Sequence, residues 1–284
     1  MKRILCVVGG MNIGGAETFL MKIYRKLDRT KYQMDFCVAI KEKGSYDDEI
    51  EQLGGKIIHI PPKSENIFKN FNAIRKVVKE GKYKSVMRIS QNSLSALELF
   101  AAKLGGAKKL IFRSSNSNSC GGIKTQIIHY LFRWMAIIIP NVKIAPSTEA
   151  AEFMFGKRAV KNHKVTILKN AIDLEVFKFD NSVREEKRKE LNINGKFVVG
   201  HIGRFNQQKN HKYLIEIFKR IKENKPESIL LLIGTGELEN EIRQKIINLK
   251  LEDSVMFLGI RKDIPTLLMA MDVFLFPSFQ RVIL

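Results

Sequence analysis

The sequence predicts an α/β protein made of two Rossmann-like domains, each a parallel sheet covered by helices on both faces. Three observations indicate this fold class. Short runs rich in β-branched residues alternate with amphipathic stretches throughout the chain. The alternation pauses near residue 180 and then restarts, and a glycine-containing turn follows the first strand of each half. Because such alternation is typical of parallel sheets, we expect domains at residues 1–178 and 179–284.

The first half supplies a regular series of strands and helices. Its predicted strands are Arg3–Val8, Met34–Ile40, Lys56–Ile60, Ser85–Ile89, Lys108–Arg113, Lys143–Ala145 and Lys164–Leu168. Its predicted helices are Ala16–Leu27, Tyr46–Leu53, Phe68–Glu80, Leu94–Leu104, Ile123–Ile138 and Thr148–Phe155. The apolar residues of these helices recur at helical spacing, which indicates one face packed on a sheet.

The second half repeats the pattern after an acidic and aromatic connection at Asp173–Ser182 and a charged helix at Val183–Leu191. Its predicted strands are Phe197–Ile202, Ile229–Ile233, Val255–Leu258 and Val273–Phe276, and its helices are His211–Glu223, Leu238–Asn248 and Ile264–Met271. Ligands of such sheets bind beyond the carboxyl ends of the strands. The residues that follow each strand are therefore the candidates for a site.

The charge of the chain favours an anionic partner. Its formal net charge is +20, and residues 1–178 hold 31 Lys and Arg against 15 Asp and Glu, whereas residues 179–284 hold 18 against 14. A basic half suits a membrane surface or a polyphosphate, with a solvated lysine-rich surface as the alternative. The cations are dispersed and no nucleic-acid motif is present, so nucleic acid is not an expected partner.

The remaining sequence features argue against a disulfide-stabilised protein, a metal-binding protein and a membrane-spanning protein. Three scattered cysteines are too few for a disulfide framework and favour reduced thiols in a cytoplasmic protein. No Cys/His cluster has metal-ligand spacing, so no metal is expected. The apolar start of the chain ends at Gly9, too early for a signal peptide. The longest other apolar stretch, Ile127–Pro140, is shorter than the roughly 20 residues that span a bilayer.

The turn after the first predicted strand contains the glycine pairs Gly9–Gly10 and Gly14–Gly15. Glycines here permit a tight turn and let backbone N–H groups approach an anion at a helix start. The spacing is neither that of a dinucleotide fingerprint nor that of a P-loop. A turn without any ligand is therefore the open alternative.

A second loop, Gly200–His211, follows a strand, opens a helix and carries Arg204 and Lys209. Two cations at the carboxyl end of a strand are suited to grip a diphosphate, since at about 4 Å each charge pair contributes about 4 kcal/mol in an intermediate dielectric. The attraction grows as a departing diphosphate gains charge, so it favours the transition state. Two exposed surface cations are the alternative interpretation.

Two shorter motifs each have two interpretations. The segment Gly234–Leu238 again runs from a strand end into a helix, where its amides suit a phosphate. Its Glu237 either accepts from a sugar or ribose hydroxyl or serves as a first-turn helix residue. The segment Asn170–Asp173 precedes the interdomain connection, where capping or pinning the crossover explains Asp173 at least as well as a site does.

Together these motifs resemble bacterial family 4 glycosyltransferases of capsule and exopolysaccharide synthesis. The resemblance rests on Gly9–Glu17, Asn170–Asp173, Gly203–His211, Gly234–Glu237 and Ala270–Ser278, in that order, and it covers essentially the whole chain. It implies the GT-B fold, a UDP- or GDP-sugar as donor substrate with no cofactor, no required metal, and retention of anomeric configuration. The implied acceptor is a glycan or a lipid-linked oligosaccharide.

The resemblance gives each motif a role. Arg204 and Lys209 would hold the donor diphosphate and supply most of the catalysis. The other implied donor contacts are Gly14 and Gly15 near the phosphate and sugar, Gly234, Gly236, Glu237 and Leu238 beside the nucleotide, and Gly259, Ile260 and Arg261 at the base.

The sequence departs from the family in two loops and at its end. Many relatives carry histidines after the fourth and fifth strands, whereas residues 88–93 and 113–118 contain none, so a histidine contact to the sugar is not expected. The candidates on the acceptor side are Asn12, Asn92, Arg113 and Asn116, and turn formation explains each of the last three equally well.

The family continues past Pro277-Ser278 into a helix with two glutamates that contact the donor, whereas this sequence ends at Leu284. We therefore expect a shortened chain, for which the alternative function is that of an inactive remnant or pseudo-glycosyltransferase that only binds. The basic first half fits peripheral docking on the anionic inner face of the plasma membrane. Ala16–Leu27 or Phe68–Glu80 is the predicted docking face.

Overall fold

The computed structural model describes residues 1–115 and 123–279. The chain forms two compact units, unit 1 at Met1–Asn170 and unit 2 at Ala171–Leu284. Both are α/β units with parallel sheets, as the alternation of strands and helices predicts.

Unit 1 contains a seven-stranded sheet within the described residues. Its strands are β1 (Lys2–Val8), β2 (Tyr32–Val38), β3 (Ile57–His59), β4 (Ser85–Ser90), β5 (Lys109–Ser114), β6 (Val142–Ala145) and β7 (Thr166–Ile167). Its helices are α1 (Gly15–Lys26), α2 (Asp47–Gln52), α3 (Ile67–Glu80), α4 (Ala96–Leu104), α5 (Ile123–Ile138), α6 (Thr148–Phe155) and α7 (Lys157–Lys161). The strand order is β3-β2-β1-β4-β5-β6-β7, and every pair is parallel.

The period of the strand explains why helices cover both faces of this sheet. In β1, Leu5 and Val7 pack into one apolar cluster, while Cys6 and Val8 pack into another on the opposite face. All four are at most 4% exposed. Because consecutive side chains of a strand point to opposite faces, an apolar run is shielded from water only when both faces of the sheet are covered.

Unit 2 repeats this arrangement with a four-stranded sheet, again within the described residues. Its strands are β8 (Phe197–Ile202), β9 (Ser228–Ile233), β10 (Val255–Gly259) and β11 (Val273–Phe274), and its helices are α8 (Asn181–Glu190), α9 (His211–Asn224), α10 (Glu239–Asn248) and α11 (Ile264–Ala270). The strand order is β10-β9-β8-β11 with all pairs parallel.

Several predicted elements differ from the observed ones at their ends, as β7 does at Thr166–Ile167, and three further differences have a physical reason or change an element. The helix expected at Leu94–Leu104 begins as a 3-10 turn at Ser93–Ser95, because the Asn92 side chain accepts from Leu94 N and fixes a tighter start. The helix α7 is missing from the prediction because five residues are too few to show a helical period. The last strand ends at Phe274 and does not reach Phe276.

One carboxylate fixes the end of α8 against the edge of the second sheet. Asp272 Oδ1 lies 2.5 Å from Arg184 Nη2, and Asp272 Oδ2 lies 2.6 Å from Arg188 Nη2. The same Oδ2 accepts a hydrogen bond of 2.7 Å from Val198 N at the start of β8. Arg188 is 7% exposed, so its charge depends on this partner.

We predict that Asp272→Asn lowers the free energy of unfolding of the chain by about 2–3 kcal/mol, because two guanidinium groups lose their counter-charge. Urea unfolding followed by circular dichroism measures the change. The control is Glu227→Gln, which removes the same charge from an exposed pair with Lys196 and should leave the midpoint unchanged. Equal midpoints for the two variants would contradict the role of Asp272.

Candidate functional site

The strand order of unit 2 reverses at β8. The chain runs outward from β8 through β9 to β10 and then adds β11 on the other side of β8. Open α/β sheets bind ligands where the strand order reverses in this way. The loops after β8 and β11 meet at this position: Phe279 N donates to Gln208 O over 3.1 Å, and Asn210 Nδ2 donates to Pro277 O over 3.3 Å.

Backbone hydrogen bonds join the loops that follow β8, β9 and β10. Phe205 N donates to Thr235 O over 2.9 Å, and Leu238 N donates to Phe205 O over 3.0 Å. Gly234 N donates to Gly259 O over 2.8 Å. The sequence motifs at 203–211, 234–238 and 259–261 thus form one continuous edge of unit 2.

Gly234 and Gly236 permit this close approach because they have no side chain. A Cβ at Gly234 would lie 2.1 Å from the carbonyl oxygen of Gly203, and its φ of +130° is one that L side chains rarely adopt. A Cβ at Gly236 would lie 2.4 Å from the carbonyl oxygen of Phe205. Both glycines are therefore required by the packing of the loops.

Arg204 and Lys209 lie on the loop after β8 in different surroundings. Arg204 is exposed, whereas Lys209 is half-buried. The Lys209 Nζ lies 4.5 Å from the centre of the Phe276 ring. Burial lowers the pKa of this ammonium group. Neither cation belongs to an ion pair within the part of the chain that the structure describes, so a bound anion would stabilise both.

Two asparagines fix the path of this loop. Asn206 Oδ1 accepts from Lys209 N over 3.2 Å and caps the 3-10 turn Gln207–Lys209. Asn210 has a φ of +53°, in the left-handed region that asparagine tolerates. Both asparagines lie in the motif Gly200–His211, and the sequence alone assigned a role to neither. Asparagine between a strand and a helix is the signal for such a turn.

A pair of buried histidines lies behind the loop. The rings of His201 and His211 are 4.8 Å apart, and His201 Nδ1 lies 2.8 Å from Leu275 O. His201 Nε2 and both ring nitrogens of His211 have no hydrogen-bond partner among the described residues. Burial, and then the nearby His201 and Lys209, lower the pKa of His211 from 6.5 to about 4. His201 is buried in β8, and His211 is the first residue of α9, as the predicted helix His211–Glu223 requires.

The remaining donor-side candidates differ in their exposure and in whether their side chains already have partners. Glu237 is exposed and precedes α10, which begins at Glu239, so the interpretation of Glu237 as a first-turn helix residue is wrong. Ile260 is exposed beside Gly259, whose φ is +63°. The Arg261 guanidinium is already occupied, since its Nε and Nη2 donate to the carboxylate of Asp263 over 2.7 and 2.6 Å.

In unit 1 the order of strands reverses between β1 and β4, and the glycine turn follows β1 at this point. Gly14 caps α1 in extended conformation, and Gly15 is exposed as the first residue of the helix. No atom lies within 4 Å of a Cβ built on Gly15. The first residue of α1 is thus uncovered on this side of unit 1, whereas at Gly14 a Cβ would lie 2.4 Å from a carboxylate oxygen of Glu17.

Two acceptor-side candidates of unit 1 already accept hydrogen bonds, Asn12 from another loop and Asn92 within its own turn. Asn12 Oδ1 accepts from Ser45 N over 3.1 Å, and the Asn92 side chain caps its own turn. Asn116 lies outside the residues that the structure describes. Turn formation therefore accounts for Asn92.

Arg113 differs from these asparagines because it is a buried cation. Its Nη2 donates to Asn170 Oδ1 over 2.7 Å, and its guanidinium carbon lies 3.7 Å from the centre of the Phe19 ring. It is 2% exposed, and Nε has no hydrogen-bond partner among the described residues. Burial lowers the pKa of Arg113 to about 10.

A second buried cluster at the end of β4 is absent from the sequence predictions. Arg88 Nε donates to Glu98 Oε2, and Arg88 Nη1 donates to Val7 O over 2.9 Å. Lys63 Nζ donates to Ser95 Oγ over 2.6 Å. Burial, and then the charge of Arg88, lower the pKa of Lys63 to about 8. No local signal reveals this cluster, because its members are distant in sequence.

Solved structures share the fold of this chain. Anabaena Alr3699/HepE, solved in complex with UDP-glucose, superposes with a TM-score of 0.77 at 21% identity over 98% of this chain and 74% of that one. The lipopolysaccharide glycosyltransferase WaaG superposes with a TM-score of 0.72 at 14% identity. These likenesses confirm the predicted α/β class and the GT-B fold.

Sequence comparison identifies the family. Residues 183–280 match the family described as "Glycosyl transferases group 1". EpsF of Bacillus subtilis, which carries the name of a glycosyltransferase, is 31% identical over 281 residues that make up 98% of this chain and 73% of EpsF. The chain belongs to the group 1 family of glycosyltransferases.

A more distant relative has a fuller name. The Escherichia coli enzyme named UDP-Gal:alpha-D-GlcNAc-diphosphoundecaprenol alpha-1,3-galactosyltransferase is 27% identical over 258 residues, 87% of this chain and 66% of that enzyme. The chain therefore spans about two thirds to three quarters of the length of these two relatives.

The described residues contain neither a metal-binding cluster nor a membrane-spanning helix. Among residues 1–115 and 123–279, no group of three or more His, Cys, Asp or Glu side chains is placed to hold a metal ion. No helix in the same ranges combines the length and apolarity needed to cross a membrane.

We predict that Gly236→Ala destabilises unit 2 by about 1–3 kcal/mol, because its Cβ would overlap backbone atoms that cannot move without breaking the joined loops. Thermal unfolding followed by circular dichroism measures the effect. The control is Gly15→Ala, where the added Cβ meets no atom within 4 Å and alanine favours the helix. A melting temperature of Gly236→Ala equal to that of the unmodified chain would show that the loops do not depend on this contact.

The buried His211 predicts a loss of stability in acid. Its pKa is lower in the folded chain, about 4 against an ordinary 6.5, so the unfolded chain takes up the proton first. Its contribution is complete above pH 6.5 and is lost as pH falls toward 4, a change of up to about 3 kcal/mol. Urea unfolding at pH 7 and pH 5 measures the slope.

His211→Phe should flatten this slope, since it removes the titrating group and keeps an aromatic ring in the core. His163→Asn is the control, because His163 is exposed in the left-handed region that asparagine tolerates. The attribution to His211 fails if both variants keep the slope of the unmodified chain.

Proposed function

We propose that this chain is a retaining glycosyltransferase that moves a sugar from a UDP-sugar to an undecaprenyl-diphosphate-linked acceptor in the synthesis of surface polysaccharide. One observation carries the proposal: two cations without carboxylate partners, Arg204 and Lys209, lie on the loop at the point of unit 2 where the strand order reverses. Cations that are left unpaired at a ligand-binding edge suit an anionic ligand.

The chemistry of sugar transfer gives these cations a function. The bond between the anomeric carbon of the sugar and the β-phosphate oxygen breaks, and UDP departs with one additional negative charge. The acceptor hydroxyl forms the new glycosidic bond and loses its proton. Arg204 and Lys209 stabilise the charge that develops on the diphosphate, an interaction that is stronger in the transition state than in the ground state.

The loops joined to this site supply the proposed nucleotide contacts. The Gly234 amide already donates to Gly259 O, so Gly236 and the exposed carboxylate of Glu237 are the proposed contacts of this loop, the carboxylate accepting from a ribose or sugar hydroxyl. Gly259 and Ile260 would line the base. Arg261 contributes less than the resemblance implies, because its guanidinium is held by Asp263.

Unit 1, taken by itself, has its own candidate contacts for a sugar or an acceptor. The start of α1 at Gly14 and Gly15 is one of them, with the Glu17 carboxylate against Gly14. Arg113, a buried cation without a carboxylate partner among the described residues, is the proposed acceptor-side cation. Asn12 retains an exposed position in the glycine turn.

The relatives support the choice of donor and acceptor. The Escherichia coli relative is named for UDP-Gal and for an acceptor on diphosphoundecaprenol. A Campylobacter jejuni relative, 24% identical over 275 residues, is named for transfer to a diphospho-undecaprenol-linked sugar. An enzyme that uses a UDP-sugar needs a site for the donor diphosphate, which is the role proposed for Arg204 and Lys209.

We predict that Lys209→Met and Arg204→Gln each weaken the binding of UDP by about tenfold, the loss of one charge-assisted hydrogen bond of about 1.5 kcal/mol. Methionine keeps the apolar stem beside Phe276, so the loop should stay in place. Binding of uridine, which has no phosphate, should change little. Isothermal titration calorimetry with both ligands separates loss of phosphate contacts from loss of the fold.

The control is Lys219→Met on the exposed side of α9, which makes the same change of charge away from the loop. Its affinity for UDP should match that of the unmodified chain. The diphosphate role is overturned if Lys219→Met and Lys209→Met weaken UDP binding equally. Release of UDP from a panel of UDP-sugars, with and without a lipid-linked acceptor, then tests whether the chain transfers sugar or only binds it.

A further inference from the structure

Helix α5 carries apolar residues on two opposite faces. Its inner face packs in unit 1 through the buried residues His129, Met135 and Ala136. His129 stacks on Phe153 of α6 with ring centres 4.0 Å apart. These contacts account for the position of the helix but not for its remaining apolar residues.

The outer face of α5 presents a stripe of large apolar side chains to solvent. We define this outer face by six residues, with their exposed fractions: Ile123 (75%), Ile127 (60%), Tyr130 (60%), Leu131 (64%), Trp134 (56%) and Ile138 (71%). They recur at intervals of three and four residues, so they lie along one side of the helix. A helix that is apolar all round is normally buried, and exposed apolar patches of this kind mark interaction sites.

The two helices expected to dock on a membrane do not present such a face. In α1 the apolar residues Leu20, Met21 and Tyr24 are buried in the core. In α3, Ile74 and Val78 are buried in the same way, and only Phe68 stands out at 77% exposure. The structure thus moves the candidate surface from the predicted helices to α5.

Positive charge surrounds the outer face. Helix α5 contains Lys124 and Arg133 and no acidic residue, and residues 123–164 hold seven Lys and Arg against two Asp and Glu. The Arg133 guanidinium donates to Glu152 O, and one of its nitrogens lies 3.6 Å from a Cβ placed on Gly156, where α7 begins.

Helix α7 adds three exposed cations beside Arg133. Lys157, Arg158 and Lys161 are all exposed. None of them belongs to an ion pair within residues 1–115 and 123–279. Their charge is therefore available to an external partner.

We propose that the outer face of α5 inserts into the surface of an anionic lipid bilayer, with the cations of α7 against the headgroups. Amphipathic helices with an apolar face, Trp or Tyr near its border and Lys or Arg around it bind membranes in this way. Each cation near an anionic surface strengthens the attraction. The choice of a bilayer rests on the proposed function, because an undecaprenyl-linked acceptor is held in a membrane.

A second copy of this chain is the competing occupant of the outer face. Two copies would bring the same unpaired cations of α7 toward each other, and this like-charge contact would oppose association. An anionic bilayer matches both the apolar stripe and the charge, whereas a second copy matches only the stripe.

The single tryptophan of the chain provides the test, because Trp134 lies on the outer face. The full chain is mixed with vesicles of phosphatidylcholine alone or with added phosphatidylglycerol, without donor or acceptor. We expect Trp134 emission to shift to shorter wavelength with the anionic vesicles and to be quenched by lipids that carry a spin label on the acyl chain. Emission that is unchanged by anionic vesicles at low salt would overturn the proposal.

Variants separate the apolar and the electrostatic parts while Trp134 stays as reporter. Ile127→Ser and Leu131→Ser should each weaken vesicle binding at least tenfold, since each removes a large exposed apolar side chain. Lys157→Gln, Arg158→Gln and Lys161→Gln should each weaken binding to anionic vesicles about fivefold, the equivalent of about 1 kcal/mol per cation. The control Tyr213→Ser removes an exposed aromatic residue from α9 and should bind as the unmodified chain does.

The remaining outcomes distinguish membrane docking from dimerisation and from the proposed sugar transfer. A blue shift that depends on protein concentration without vesicles, with a dimer in light scattering, would assign the outer face to a second copy and overturn the membrane proposal. Vesicle binding without UDP binding would contradict only the proposed function. UDP binding and sugar transfer without vesicle binding would contradict only the docking surface.

Discussion

The close approach of two backbone loops is the constraint on which the candidate site of unit 2 depends. The loop after β8 and the loop after β9 touch through main-chain atoms, and Gly234 and Gly236 leave no room for a side chain between them. This contact sets the path of the chain from Gly203 to Lys209. A cation on a loop without such support would lose the fixed position that binding a diphosphate requires.

Pairing of charges divides the cations of the chain into two groups. Those that hold the fold together have carboxylate partners, as Arg184 and Arg188 have in Asp272. Arg204 and Lys209 lack such partners in the described residues, and so does Arg113. Leaving a half-buried or buried cation unpaired is unfavourable in the free protein. An anionic ligand would relieve this cost at Lys209 and Arg113, whereas Arg204 is exposed and water already solvates its charge.

The helices of unit 1 differ in whether their apolar side chains are covered by the core or exposed to solvent. In α1 and α3 the buried residues of the apolar stripe pack into the core, and Phe68 of α3 is the large apolar side chain that remains exposed. Helix α5 satisfies its inner face in the same way but retains Leu131 and Trp134 on the outside. An apolar stripe and unpaired cations close together are the features of a surface that works at a boundary between water and lipid.

The sequence by itself determined the fold class and the order of the elements, because strand and helix periods are local properties of the chain. Most predicted strands and helices lie within a few residues of those observed, and the loop of Arg204 and Lys209 could be found because its glycine, cations and helix start are adjacent in sequence. Only the tertiary structure decided which side chains are paired. The partners of Arg113 and Lys63 are distant in sequence, and the direction in which the outer apolar face of α5 points depends on how the helix packs on its sheet. A periodic pattern shows that a helix has an apolar face, but the packing of its neighbours decides whether that face is covered.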